Sequence, residues 1–402
     1  MPEPVIVAAT RTPIGRANKG SLVDCRPDDL SALIVKAALE RVPGLPPDSV
    51  EDVIWGCGQP AGESGYNVAR VVSILAGIPR SPGTTVNRYC SSSLQTIRMA
   101  AHAIRSGEGD VFVAGGVETV SRFNKGMSDG LPGTHDDAFA DAEARTAKRA
   151  EGGQPSWQPA KGLPDVYIAM GQTAENVAEQ ENVGREEMDE FALRSQQRAV
   201  EAQKNGFFER EITPVTTPDG SLVTNDDGPR PDTTLEKLSQ LKPAFRPDGK
   251  VTAGNACPLN DGAAATIVMS DTRADELGIA PLARVVSSGV TAVDPEIMGL
   301  GPIGASRQAL ARAGMTIDQI DLVEINEAFA AQVIPSAKQL GVPWEKLNVH
   351  GGAIALGHPF GMTGARIMAT LLNGLEDTGG RYGLETMCVG GGQGMAMIVE
   401  RL

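Results

Sequence analysis

Short apolar runs alternate with amphipathic stretches near both ends of the chain. Residues 5–9 (Val-Ile-Val-Ala-Ala) predict a buried strand. Asp28 to Arg41 places Leu30, Leu33, Ile34, Ala37 and Ala38 on one helical face. Val50 to Trp55 predicts a strand, Tyr66 to Leu75 a helix, and Thr84 to Asn87 a short strand. Cys90 then opens a helix, and Val111 to Glu118 is the next strand. Such βαβα order predicts a mainly parallel sheet covered on both faces.

The same pattern returns after residue 280. Ala38 to Ile54 aligns with Ala309 to Glu324 after one deletion. Leu75-Ala-Gly-Ile-Pro answers Leu340-Gly-Val-Pro, and Val111-Phe-Val-Ala-Gly-Gly answers Met387-Cys-Val-Gly-Gly-Gly. Two matched halves about 270 residues apart point to a duplication, with chance similarity of βα units as the rival reading. If the halves pack face to face, Cys90, the loop around His358 and Cys388 converge on one pocket. The segment between them differs. Residues 121–165 are polar with little strand character, Gly171 to Ala178 and Arg185 to Lys204 read as helices, and Thr213 to Pro247 is irregular. We therefore expect residues 1–120 plus 246–276 as a first half, 121–245 as an inserted loop or lid domain, and 277–402 as a second half. Arg122, Lys125, Lys148, Arg149, Lys161, Arg230, Lys237 and Lys242 give the insert local positive charge, which an ordinary solvated surface would also carry.

Hydrophobic residues make up 41% of the chain and aromatics 4%, so the cores should be aliphatic. A net charge of −14 argues against nucleic acid as partner. Five widely spaced cysteines with no Cys-x-x-Cys argue against a disulfide framework or a structural zinc, and suit a reducing, cytoplasmic setting. No secretory signal is read at the N-terminus, and no apolar run is long enough for a membrane span.

Candidate chemistry gathers at three places. Gly351, Gly352, Gly357, Gly361 and Gly364 surround His350 and His358. Pro359 biases His358 towards an extended conformation just before a helix, where an imidazole can exchange a proton. A tight turn with incidental histidines is the plainer reading. Cys90 stands at a predicted helix N-terminus beside Arg88 and three serines. A helix N-terminus and a nearby imidazole favour the thiolate, and lowering a free thiol pKa of ~8.5 by ~2 units is within their combined reach. A small buried cysteine is the competing reading. Cys388 ends a strand and enters glycines whose N–H groups suit an oxyanion. That run lacks the Lys-Ser/Thr ending of a P-loop and the dinucleotide glycine spacing. Asn326 terminates the strand Leu322-Val-Glu-Ile and begins a helix, as a polarising amide or as a simple N-cap.

Taken together, the chain resembles the thiolases over essentially its full length. The matching stretches are Val5-Ile-Val-Ala-Ala-Thr-Arg-Thr-Pro-Ile-Gly, Val86-Asn-Arg-Tyr-Cys-Ser-Ser, Met170-Gly-Gln-Thr-Ala-Glu-Asn-Val-Ala, Val251-Thr-Ala-Gly-Asn, Asn260-Asp-Gly-Ala-Ala, Asn326-Glu-Ala-Phe-Ala, Gly351-Gly-Ala-Ile-Ala-Leu-Gly-His-Pro and Cys388-Val-Gly-Gly-Gly. The resemblance implies an α/β thiolase-like fold of two duplicated βαβαβαββ halves with an inserted loop domain. It implies reversible, CoA-dependent cleavage of 3-oxoacyl-CoA, or condensation of two acetyl-CoA, through an acyl-cysteine. Cys90 would be the nucleophile, His358 its activator, and Cys388 the acid/base. Asn326 would hold a water that binds the thioester oxygen together with His358, and the N–H groups of Cys90 and Gly390 would form a second oxyanion site. Met170, Arg230, Cys257, Ala328 and Phe329 fall at CoA-contact positions, and Met298 at a position lining the acyl pocket in short-chain enzymes. CoA and acyl-CoA would be substrates, with no metal and no other cofactor, in a homodimer or homotetramer.

Four departures stand out. Ser93 replaces a glycine and would narrow the pocket. Cys257-Pro258 replaces a Ser-Gly pair that reaches the pantetheine. Ala169 replaces a histidine before Met170, and His350 replaces an asparagine. Two other functions compete: a non-catalytic, thiolase-like acyl-CoA or lipid-binding protein, and a condensing enzyme of the ketoacyl-synthase type. The paired cysteines Cys90 and Cys388 argue against both.

Overall fold

The computed structural model describes residues 2–402. Nine strands build the large sheet: β1 (Pro4–Arg11), β2 (Asp52–Cys57), β3 (Gly83–Val86), β4 (Val111–Thr119), β5 (Asn260–Ser270), β6 (Ala283–Ala292), β7 (Leu322–Ile325), β8 (Tyr382–Val389) and β9 (Gln393–Arg401). Their spatial order is β7-β8-β9-β6-β1-β5-β4-β2-β3, with the short strand Gly15–Arg16 added on β5. Read outward from the centre, β1-β5-β4-β2 mirrors β6-β9-β8-β7, which is the internal duplication seen in three dimensions.

The sheet is more antiparallel than the βαβα pattern predicts. Only β2–β3, β2–β4 and β7–β8 are parallel. The centre pairs antiparallel through β4–β5, β5–β1, β1–β6, β6–β9 and β9–β8. The reason is a hairpin in each half. In the second half, β8 turns directly into β9 through Gly391 and Gly392, whose φ values of 75° and 79° suit glycine. In the first half the polar insert separates the two hairpin strands, β4 and β5, and hides their pairing from a local pattern.

Two helices fill the layer between the halves: α3 (Ser92–Ser106), which follows Cys90, and α9 (Thr363–Thr378), which follows His358. Leu94, Ile97 and Ile104 of α3 share a buried cluster with Ile367, Met368 and Leu371 of α9 and with β-strand residues of both halves. Close approach of α3 and α9 rests on Gly364. A Cβ there would lie 2.6 Å from Leu94 Cβ and would also strike the Leu94 backbone. Gly364→Ala is therefore expected to lower stability by about 1–3 kcal/mol through overpacking, seen as a lower denaturant midpoint at unchanged slope.

The outer helices are α1 (Pro27–Glu40), α2 (Val68–Leu75), α7 (Gly301–Ala313) and α8 (Ala330–Leu340). Between β4 and β5 lie α4 (Ala140–Ala150), α5 (Met170–Gln180) and α6 (Arg185–Lys204). Helix α4 sits inside the polar stretch 121–165, for which the sequence predicts no element. Its Ala, Glu, Arg and Lys content is strongly helix-forming, and it buries little beyond Ala142, so no apolar stripe announced it.

Candidate active site

Cys90 lies on a single 3-10 turn (Tyr89–Ser91) that leads into α3, at the end of the layer shared by the two halves. The preceding Tyr89 adopts φ 43°, a left-handed conformation that a bulky residue rarely takes. Its N–H donates to Asn87 Oδ1 at 2.8 Å, which holds the elbow. From β8, the Gly390 N–H points at the Cys90 sulfur, and the Cys90 N–H also favours the thiolate. Two backbone donors therefore face one nucleophile.

Burial nonetheless outweighs these donors. It pushes the Cys90 thiol up to about 12, opposite to the shift that helix and imidazole suggest from sequence. His358, also buried, falls to about 3, first through desolvation and then through the charge of Arg366. With both groups buried, Cys90 rests as a neutral thiol and His358 as a neutral imidazole.

The imidazole tautomer follows from its neighbours. Thr363 Oγ1 donates to Pro359 C=O at 2.7 Å, so its oxygen is left to accept from His358 Nδ1 at 2.7 Å. Nε2 then carries the lone pair. Asn326 Nδ2 stands 3.3 Å from Nε2. The backbone N–H of His358 donates to Asn260 Oδ1 at 3.0 Å, and Asn260 Nδ2 donates to Gly15 O at 3.0 Å. Thr363→Val keeps the shape and removes the acceptor for Nδ1–H. It is expected to slow iodoacetamide alkylation of Cys90 about tenfold, the worth of one hydrogen bond, with little change in melting temperature.

Asn326 is not a helix N-cap. Helix α8 starts four residues later with Phe329 as its cap, and Asn326 occupies the bend between β7 and α8. Its N–H donates to Thr386 O at 3.0 Å and its C=O accepts from Gln332 Nε2 at 2.7 Å. This leaves the buried Oδ1 without a protein partner. Neighbouring Glu327 serves the scaffold: it accepts from Ser195 Oγ, Asn348 Nδ2 and Ile354 N–H.

Cys388 is fully buried near the end of β8. Its thiol is pushed well above its ordinary range by desolvation and then by the charges of Cys90 and Cys257. Cys257 is likewise raised, by desolvation and then by Cys90, so three thiols share this centre. A cavity of about 270 Å³ opens onto Cys90 and Gly390, with Met170, Ile168, Val166 and Phe360 among its walls. Met170 is the one proposed CoA contact that lines it. Cys257, Ala328 and Phe329 form a neighbouring strip, joined by a Cys257 N–H to Ala328 O bond of 3.0 Å and an Ala256–Phe329 bridge. Arg230 does not line the cavity, its N–H donating to Gln196 Oε1 at 2.8 Å, and Met298 packs in the buried cluster that also holds Cys388, Ala328 and Phe329.

Two of the departures resolve physically. Ser93 is buried and its hydroxyl accepts from Ala365 N–H at 2.9 Å, so it ties α3 to α9 and does not line the cavity. His350 stacks on Phe207 with ring centroids 3.6 Å apart, outside the cluster around Cys90. Sequence reasoning missed Thr363, Asn260, Gln332 and the Tyr89 elbow. Asn260 and Tyr89 lay in the matching stretches, while Thr363 and Gln332 carry no local signal.

Thiols, an imidazole and backbone donors converging at a buried junction define a cysteine-dependent acyl-transfer site. The comparisons agree. The family model for the thiolase N-terminal domain matches residues 4–272, and that for the thiolase C-terminal domain matches residues 279–401. A 3-ketoacyl-CoA thiolase of Pseudoalteromonas translucida is 46% identical, with all of both chains covered. A beta-ketoadipyl-CoA thiolase of Pseudomonas aeruginosa is 46% identical over 100% of this chain and 99% of its own. The crystal structure of the Bacillus anthracis acetyl-CoA acetyltransferase superposes with a TM-score of 0.85 at 40% identity, covering 100% of this chain and 99% of that one. The chain belongs to the thiolase family and is an acyltransferase of that family.

Proposed function

We propose that the protein cleaves 3-oxoacyl-CoA with CoA, giving acetyl-CoA and a shortened acyl-CoA, and runs the reverse condensation when acetyl-CoA accumulates. One observation carries this reading: Cys90, faced by the Gly390 N–H, shares its centre with a second thiol, Cys388. Cys90 sulfur attacks the 3-oxo carbon while His358 Nε2 takes its proton. The resulting alkoxide is held by polar groups at the site, among which the N–H groups of Cys90 and Gly390 and the Asn326–His358 pair are the candidates. The C2–C3 bond then breaks. Cys388 delivers a proton to C2, releasing acetyl-CoA and leaving an acyl group on Cys90. Incoming CoA gives its thiol proton to the Cys388 thiolate and takes the acyl group, and Cys90 recovers its proton from His358. Each step is a proton or acyl transfer, so the scheme calls for no metal and no cofactor beyond the substrate CoA.

Two relatives are named for 3-ketoacyl-CoA and beta-ketoadipyl-CoA, which supports chains longer than acetoacetyl. Measuring kcat/KM for CoA-dependent cleavage of acetoacetyl-CoA beside longer 3-oxoacyl-CoA esters tests the reading. Binding without cleavage of any ester would favour a carrier instead. The division of the chain into two halves and an insert, a cytoplasmic location, and assembly into two or four copies belong to the same reading. Strand β3, at the end of the sheet, supports assembly by edge pairing. Among the described residues no helix is long and apolar enough to cross a membrane.

A further inference from the structure

The cavity that reaches Cys90 exceeds what an acetyl group needs, and its lining carries a charge. Besides its apolar walls, Gln59, Asp129 and His135 line it. Asp129 is exposed to solvent yet held in place. Its carboxylate accepts from Gln59 Nε2 at 2.5 Å and from the Tyr89 hydroxyl at 3.3 Å. Gln59 Oε1 accepts in return from Asp129 N–H at 3.0 Å and from Ser128 Oγ at 2.9 Å. Tyr89 is the residue before the nucleophile, so this carboxylate is anchored to the catalytic elbow itself. Neutral donors hold it, and they leave its charge uncancelled. His135 is the one basic side chain lining the cavity. Its ring lies flat on Tyr167 with centroids 4.0 Å apart, and its Nδ1 stands 3.0 Å from Glu143 Oε2. Any positive charge on His135 is therefore answered by Glu143, and the cavity lining keeps the negative charge of Asp129.

Building on the thiolysis reading, we propose that Asp129 sets the acyl specificity of this site. It admits 3-oxoacyl chains with a neutral end and disfavours chains that end in a carboxylate. A terminal carboxylate seated in this cavity would lie near Asp129 in a partly solvated space, where like charges cost about tenfold in kcat/KM. The substrate class is then neutral, medium-length 3-oxoacyl-CoA.

The test compares 3-oxohexanoyl-CoA with 3-oxoadipyl-CoA, which share six carbons and differ in a terminal methyl against a carboxylate. The wild type is expected to prefer the neutral ester by about tenfold, and Asp129→Asn to bring the ratio within about threefold. Asp129→Lys should invert it. Raising salt should narrow the wild-type ratio and leave the Asp129→Asn ratio in place, which a purely steric role would not do. The wild-type arm of this salt series needs no variant to fold. The proposal is overturned if the wild type cleaves 3-oxoadipyl-CoA as well as the neutral ester, or if Asp129→Asn leaves the ratio unaltered. Failure to cleave any ester, acetoacetyl-CoA included, overturns the thiolysis reading along with it.

Discussion

Cys90→Ala should abolish cleavage of acetoacetyl-CoA, with a fall in kcat on the order of 10⁴-fold or more. It should equally abolish exchange of the acetyl group between acetyl-CoA and labelled CoA. Both reactions pass through the same acyl-sulfur bond, and the Gly390 N–H is aimed at this sulfur. The two other thiols at the centre make the result informative. If Cys257 or Cys388 were the nucleophile, exchange would survive the loss of Cys90. Decay of the enolate absorbance of acetoacetyl-CoA measures the first reaction, and isotope transfer measures the second.

Cys388→Ala should separate those two reactions. Cleavage and condensation need a proton moved at C2, and losing a positioned acid/base costs about 10²–10⁴-fold. Thioester exchange onto Cys90 makes no change at C2 and should retain most of its rate. Burial that holds Cys388 as a neutral thiol suits it to give a proton to a carbanion. A variant that cleaved 3-oxoacyl-CoA at full rate would remove Cys388 from the chemistry and favour a centre of one cysteine with histidine and asparagine. A variant that lost exchange as well would point to collapse of the β8 turn rather than to a lost proton donor.

Much of this architecture was legible along the chain. The apolar runs marked β1, β2 and β4 to within a few residues, Cys388 marked the end of β8, and the Arg185–Lys204 helix matches its pattern at both ends. Local periodicity suffices there because each element buries one face, and the spacing of apolar residues is set by that face. Glycine and proline marked the turns at Gly351–Gly364. The family resemblance rests on the same stretches.

Other features depend on residues that meet only after folding. The antiparallel centre of the sheet joins β4 to β5 across the whole insert, so no local window contains both partners. Asn326 sits before a helix in sequence, but its bonds to Thr386 and Gln332 place it as an amide facing His358 instead of a cap. Ser93 next to the nucleophile turns away to α9.

What the sequence by itself determined is which groups the protein owns and on which elements they ride: Cys90 at a helix entrance, His358 in a glycine loop, Cys388 at a strand end. Their ionisation was decided by tertiary structure alone. A helix N-terminus and an imidazole, both visible in sequence, favour a thiolate, whereas desolvation by two packed halves raises Cys90 to about 12 and lowers His358 to about 3. Desolvation is a property of everything packed around a group, and those neighbours come from both halves of the chain.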